Sequence, residues 1–279
     1  MTGAPPASTE ITFQNYAFLQ EHIYRESGIV LDEGKHYLLE ARLSPIVARR
    51  HIGTLNDLCA LLRTSRDGPL AREVVEAVTT NETLFFRDIQ LWDGLQTVLI
   101  PELVERYAAT RILRCWSAAA SSGQEAYSLA MLLLEMGLRD WCIQIAGTDL
   151  NQQILERARS GVYSQLEVNR GLPARYLIKY FVRHGLAWEL KEEVRRMVRF
   201  VQADLRNVPA TFGPFDLVLC RNVLIYFDVA TRQRILQRIR GVLPYGGYLV
   251  LGSAETTLNV DESFVPRGIG RTTVYAAPQ

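Results

Sequence analysis

The stretch from Arg111 to Met136 constrains the fold more than any other. It begins with an apolar run through Ile112, Leu113, Cys115 and Trp116 and then crosses seven small residues, Ser117 to Gly123. It continues with Tyr127, Ala130, Met131, Leu134 and Met136 on one side of a helix. A strand that empties into small side chains and reopens as a helix is the repeating unit of a parallel α/β sheet. Small residues there let a ligand approach the backbone beside a helix amino terminus. Gly123 is the only glycine of the loop, so Gly-x-Gly-x-x-Gly is absent. Taken alone, the turn also reads as an ordinary strand-to-helix connection.

The pattern then repeats. Cys142–Gly147 reads as a second strand ending in Thr148-Asp149, an acid where ribose hydroxyls are commonly bound. A helix is predicted over Asn151–Ser160, a third strand over Val198–Val201 ending at Asp204, and a fourth from Phe215 to Cys220 running into Arg221-Asn222. Ala230–Leu243 reads as a helix, and Tyr248–Leu251 and Thr272–Ala276 as strands, giving a parallel sheet covered on both faces. Ser121–Glu125, Asp149, Asp204 and Arg221-Asn222 then face one crevice and point to a nucleoside-like cofactor. Spacing alone does not separate a nicotinamide dinucleotide from S-adenosylmethionine. The missing glycines argue against a pyrophosphate, which needs the closest backbone approach.

The amino-terminal part differs. Residues 1–10 form a Pro/Ala/Ser/Thr tail read as disordered. Residues 11–80 read as four helices: one from Phe13 stopped at Gly28, one from about Lys35 to His51 interrupted by Pro45, one capped by Thr54 with Asp57, and one ending near Val78. Lys35, Arg42 and Arg49 share a face, with Arg50 beside them; the spacing fits a docking surface or a solvated face. Residues 81–110 carry the end of an unusual polar segment, Thr79–Asp88, and an amphipathic helix through Leu91, Leu95, Val98, Leu99 and Leu103. Residues 111–279 form the α/β domain, interrupted at about 161–198 by alternating Leu186, Trp188 and Leu190, which predict an antiparallel inserted subdomain. From Arg157 to Phe200 there are ten Lys/Arg against four Asp/Glu, a basic insertion in a chain of net charge +1.

That near-neutral charge gives no global pull toward nucleic acid or membrane. No run of eighteen apolar residues and no hydrophobic signal core is present, so a cytoplasmic protein without membrane insertion is expected. The four cysteines, Cys59, Cys115, Cys142 and Cys220, are far apart and read as reduced thiols. The four histidines are scattered, and no metal site is expected.

Three strings resemble one family, the chemotaxis receptor methyltransferases of the CheR type, which methylate glutamates of chemoreceptors with S-adenosylmethionine. They are Thr79-Thr80-Asn81-Glu82-Thr83-Leu84-Phe85-Phe86-Arg87, Trp116 through Ser128, and Cys220-Arg221-Asn222-Val223-Leu224-Ile225-Tyr226-Phe227. The family often has Glu-Glu-Pro where this chain has Gln124-Glu125-Ala126, and Gly-His-Ser-Glu where it has Gly252-Ser253-Ala254-Glu255; the latter is assigned no role.

The resemblance implies a Rossmann-like S-adenosylmethionine-dependent methyltransferase sheet with an N-terminal all-helical domain for substrate recognition and a small antiparallel β insertion. It implies cofactor contacts at Asn81, Thr83 and Arg87, with Arg87 pairing the methionyl carboxylate, a geometry suited to arginine. Glu125 would face the methionyl end, Asp149 the ribose, Asp204 with Leu205 the adenine, and Arg221 with Asn222 the floor beneath the methyl group. Tyr226 is expected to orient the acceptor carboxylate, so Tyr226 and Arg87 are the candidate catalytic residues. Lys35, Arg42, Arg49 and Arg50 would dock the helical bundle of a chemoreceptor, and the enzyme is expected to act as a monomer. Some relatives capture a receptor tail peptide on the β insertion through a longer, glycine-rich loop. The short Val182–Trp188 piece implies recognition without that tether. Two other classes stay open: an inactive cofactor-binding sensor or adaptor, and a methyltransferase acting on another protein or a small acid.

Overall fold

The computed structural model describes residues 11–32, 34–65 and 68–278. The expected disordered tail, residues 1–10, lies outside them, as does Asp67 of the break before the fourth helix. The chain divides into two compact units, one containing residues up to Thr80 together with Tyr226–Asp228, the other Asn81–Ile225 and Val229 onward.

The smaller unit holds α1 (Phe13–Ser27), α2 (His36–Arg49), α3 (Leu55–Thr64) and α4 (Pro69–Val78). Local chemistry sets their ends. Thr12 and Thr54 accept hydrogen bonds from the amides of Asn15 and Asp57, and Gly28 stops α1 in the left-handed region at φ 76°. Pro45 lies inside α2, which runs through it as one helix. Leu19, Ile23, Leu43, Leu58, Leu62 and Val74 are fully buried and form this unit's own core. The short segment 226–228 belongs here: the Val30 amide donates to the Tyr226 carbonyl at 2.9 Å, and the Tyr24 hydroxyl donates to Asp228 at 2.6 Å.

The cations expected along α2 all have partners. Arg42 donates to the Val78 carbonyl and to the Thr80 hydroxyl, Arg49 and Arg50 both pair with Glu73, and Lys35 pairs with Asp32. Arg42 and Arg49 lie in α2, with Arg50 at its carboxyl cap and Lys35 at its amino cap. Its packing against α4 then supplied a carboxylate and the unsatisfied carbonyls of a helix carboxyl end as partners.

The larger unit begins with α5 (Ile89–Gly94), a π-helical turn (Leu95–Leu99) and α6 (Ile100–Arg106), where the periodicity predicted one regular helix. Then follow β1 (Ile112–Ala118), α7 (Gln124–Glu135), β2 (Cys142–Asp149) and α8 (Gln152–Ser160). The insertion comprises β3 (Val162–Ser164), α9 (Gln165–Asn169), α10 (Ala174–Tyr180), β4 (Phe181–His184), β5 (Ala187–Leu190) and α11 (Glu192–Arg195). The main sheet resumes with β6 (Val198–Gln202) and β7 (Leu217–Cys220), then α12 (Val229–Val242), β8 (Tyr248–Leu251), β9 (Val265–Ile269) and β10 (Thr272–Ala276).

The seven main strands lie in the order β6-β2-β1-β7-β8-β10-β9, parallel from β6 to β8 and antiparallel at β10 and β9. The strand from 265 escaped the sequence reading because Pro266 and Gly268 speak against a strand; a sheet edge, where β9 sits, tolerates both. Helix α7 is buried on every side from Ala126 to Leu134, so its apolar residues are not confined to one stripe. The insertion is a three-stranded antiparallel sheet in the order β3-β5-β4, as the alternation predicts. Leu186, expected in a strand, occupies the tight turn between β4 and β5 and is 89% exposed.

Candidate functional site

Four chain segments of the larger unit meet around the carboxyl ends of β1 and β2. Register sets this up: Ala118 pairs with Thr148, so the small-residue loop leaves β1 level with Asp149. The Ala120 amide then donates to the Thr148 carbonyl at 2.8 Å. Ser121, left-handed at φ 50°, gives its amide to Asp149 Oδ2 at 2.9 Å and its hydroxyl to the Asn81 carbonyl at 2.8 Å. One buried serine thereby ties the segment following Thr80, the loop and the end of β2 together. The sequence reading places Ser121–Glu125 at the crevice, but not the two bonds of Ser121, since a serine among seven small residues gives no sign of its partners.

Asp149 is 8% exposed, and its Oδ1 accepts from the Asn151 amide at 3.0 Å. Burial raises its pKa above the ordinary carboxylate value, and the amides of Asn151, Ser121 and Leu150 partly offset that. It is not the cap of α8; Asn151 is, accepting from the Ile154 amide. A carboxylate has acceptor sites beyond those these amides occupy.

A second cluster centres on Arg221, whose side chain is 2% exposed. Its Nη1 donates to Glu125 Oε2 at 3.0 Å, and its Nη2 donates to the Arg87 carbonyl at 3.1 Å and to Asp88. Its Nε is buried without a hydrogen-bond partner among the described residues. Glu125 stands in the first turn of α7 and also accepts from the Ser117 hydroxyl at 2.8 Å. Arg221 thus fixes both the first-turn acid of α7 and the strained turn at Phe86 and Asp88, which adopt φ 49° and 63°. Removing one partner from such a buried ion cluster costs roughly 3–5 kcal/mol. Left-handed backbone recurs at Ala119, Ser121 and Asn222, so five non-glycine outliers mark these loops.

The remaining expected residues divide. Arg87 is half-buried, and its guanidinium has no hydrogen bond or ion pair among the described residues; the Thr83 hydroxyl is likewise unengaged. Asn81 adjoins Ser121 through its carbonyl. Asp204 spends its carboxylate locally: it takes the Arg206 amide and guanidinium and the Asn207 amide group, capping the short 3-10 turn Leu205–Asn207. Asn222 gives its amide to Glu255. Tyr226 ends the 3-10 turn Leu224–Tyr226, and its segment groups with the helical unit, as do Lys35, Arg42, Arg49 and Arg50.

These groups fit S-adenosylmethionine. An unengaged arginine suits a carboxylate, paired acids at Glu125 and Asp149 suit an ammonium and a diol, and the buried Leu205 suits a flat base.

Comparison with known proteins matches both parts of the chain to family models. Residues 81–271 match the model of the CheR methyltransferase SAM-binding domain, and residues 14–79 match that of the CheR methyltransferase all-alpha domain. Chemotaxis protein methyltransferase 1 of Pseudomonas aeruginosa is 39% identical over 256 residues, covering 90% of this chain and 93% of that protein. Chemotaxis protein methyltransferase of Vibrio parahaemolyticus is 37% identical over 259 residues, covering 91% and 93%. Chemotaxis protein methyltransferase Cher2 of Pseudomonas putida is 39% identical over 249 residues, covering 86% and 90%. With both domain models matched in order along the chain, and S-adenosylmethionine the cofactor of its larger domain, this protein belongs to the CheR methyltransferase family.

Proposed function

We propose that this enzyme transfers a methyl group from S-adenosylmethionine to glutamate side chains of chemoreceptors, forming methyl esters. The observation that carries the reading is the presence in the larger unit of the acids Asp149 and Glu125 and of Arg87, whose guanidinium is unengaged among the described residues, in a chain whose relatives are named chemotaxis protein methyltransferases. When bound, S-adenosylmethionine supplies an activated sulfonium methyl. Arg87 holds the methionyl carboxylate, Glu125 the methionyl end, Asp149 the ribose hydroxyls and the Leu205 turn the adenine. Arg221 keeps Glu125 and the turn at Arg87 in register, and Asn222 lines the floor.

The acceptor needs no general base. A glutamate titrates near pH 4.3, so its carboxylate is ionised at neutral pH, and the task left to the protein is alignment and exclusion of water. Tyr226 orients the acceptor oxygen through its hydroxyl. The acceptor is the helical bundle of a receptor, met by the helical domain of a monomeric, cytoplasmic enzyme; no helix among the described residues is long and apolar enough to cross a membrane. On the insertion the β4–β5 turn is only Gly185-Leu186, which favours recognition without a tail-peptide tether.

Labelled methyl transfer to chemoreceptor membranes, followed by release of the label as methanol in mild base, tests the reading. Label that stays on the protein in base, or no transfer to receptors at all, refutes it.

A further inference from the structure

The strand ends and loops of the site leave one acid unexplained, Glu255. It follows β8 in the stretch Gly252–Glu255, where its side chain turns back on the loop after β7. Its Oε2 accepts from the amides of Asn222 at 2.7 Å and Gly252 at 2.8 Å; its Oε1 accepts from those of Leu224 at 2.7 Å and Ile225 at 3.3 Å. One carboxylate therefore takes four main-chain donors, three of them from a single loop.

That loop needs such a partner. The β7 ladder ends at Cys220, so the next amides have no strand to donate to, and Asn222 is left-handed at φ 58°. A buried or half-buried amide without an acceptor is costly. Only an ionised carboxylate offers acceptors in all directions and no donor; a glutamine would turn its own N–H groups toward two of the amides. Gly252 is shaped to the same contact. A Cβ there would lie 2.7 Å from both Asn222 Nδ2 and Glu255 Oε2, so any larger residue pushes the loop away.

We propose that Glu255 is a positioning residue for methyl transfer. It fixes the Asn222–Ile225 backbone, and through it the 3-10 turn whose last residue is Tyr226. Glu255 acts through the loop, its carboxylate being engaged by main-chain amides. The proposal rests on Tyr226 orienting the acceptor.

Glu255→Gln is the test, with Gly252→Ala as an independent disturbance of the same contact. Calorimetry with S-adenosylhomocysteine counts intact sites and gives affinity, and turnover on receptor membranes is expressed per intact site, which removes any loss from misfolding. The expected result is turnover lowered at least about tenfold, the worth of one hydrogen bond to a charged acceptor, with S-adenosylhomocysteine affinity held within about threefold. The double variant with Tyr226→Phe should be no slower than the slower single variant, because both changes remove the same orientation. Turnover per site within about twofold of wild type in both loop variants overturns the proposal. So does a double variant in which the two losses multiply. Failure of the acceptor reading shows differently, as no transfer by the wild-type enzyme, and removes both.

Discussion

Asp149→Ala separates what this acid does for the fold from what it does for the cofactor. In the fold it accepts the amides of Ser121 at 2.9 Å and Asn151 at 3.0 Å from a position 8% exposed. Leaving a buried donor unpaired costs roughly 1–3 kcal/mol, and water entering the vacated space moderates it, so about 2 kcal/mol for the pair is the working figure. For a chain of this size that is a melting shift of about 4–8 °C. For the cofactor, one charge-assisted bond to a ribose hydroxyl is worth about 1.5–3 kcal/mol, which predicts a dissociation constant for S-adenosylhomocysteine raised at least about tenfold. Calorimetry on the folded variant, checked by its melting curve, measures both. The pH dependence adds a second signature. Burial raises the folded-state pKa, so the ionised form costs stability at neutral pH, and that cost vanishes as pH falls through the raised pKa. Cofactor affinity moves the other way, weakening over the same window as the acceptor is protonated, at higher pH than an ordinary aspartate near 3.9 would give. A folded Asp149→Ala protein that binds S-adenosylhomocysteine within threefold of wild type would refute the ribose assignment.

Tyr226→Phe is expected to lower turnover with cofactor affinity nearly intact; wild-type rates on receptor membranes would reduce Tyr226 to packing. Native protein at mildly alkaline pH should expose one fast thiol to a colorimetric reagent, Cys142. Cys59, Cys115 and Cys220 are buried, and burial pushes Cys59 up to about 11 and the other two higher still; four fast thiols without denaturant would contradict this. Charge reversal of Arg49 should destabilise the helical domain by only about 1 kcal/mol, since the Arg49 side chain is exposed and Arg50 still meets the largely buried Glu73, while raising the acceptor KM. An unchanged KM and salt dependence would leave that cation a structural role only. Tail peptides from receptors of the same organism should show no micromolar binding by calorimetry; binding abolished by substitutions in 181–190 would show that the short β4–β5 turn does capture them.

Much of this protein was set by chemistry acting within a few residues. The caps at Thr12 and Thr54, the stop at Gly28 and the apolar runs of β1, β2, β7 and β8 depend on neighbours in the chain, so their elements are legible without a structure. The motif strings were legible for the same reason, being contiguous. Tertiary structure decided the rest. Whether α7 shows one apolar stripe or is buried all round depends on what packs against it, and β9 is a strand only because an edge accepts Pro266. Spacing marks Arg42 on its helix, yet its partners, the Val78 carbonyl at the end of α4 and the Thr80 hydroxyl beyond it, come from another segment. The string around Glu255 does not tell what the acid does, because three of its four donors lie thirty or more residues earlier in the chain. Periodicity and caps report the conformation of a segment; a hydrogen bond between distant segments exists only once the sheet has brought their ends together.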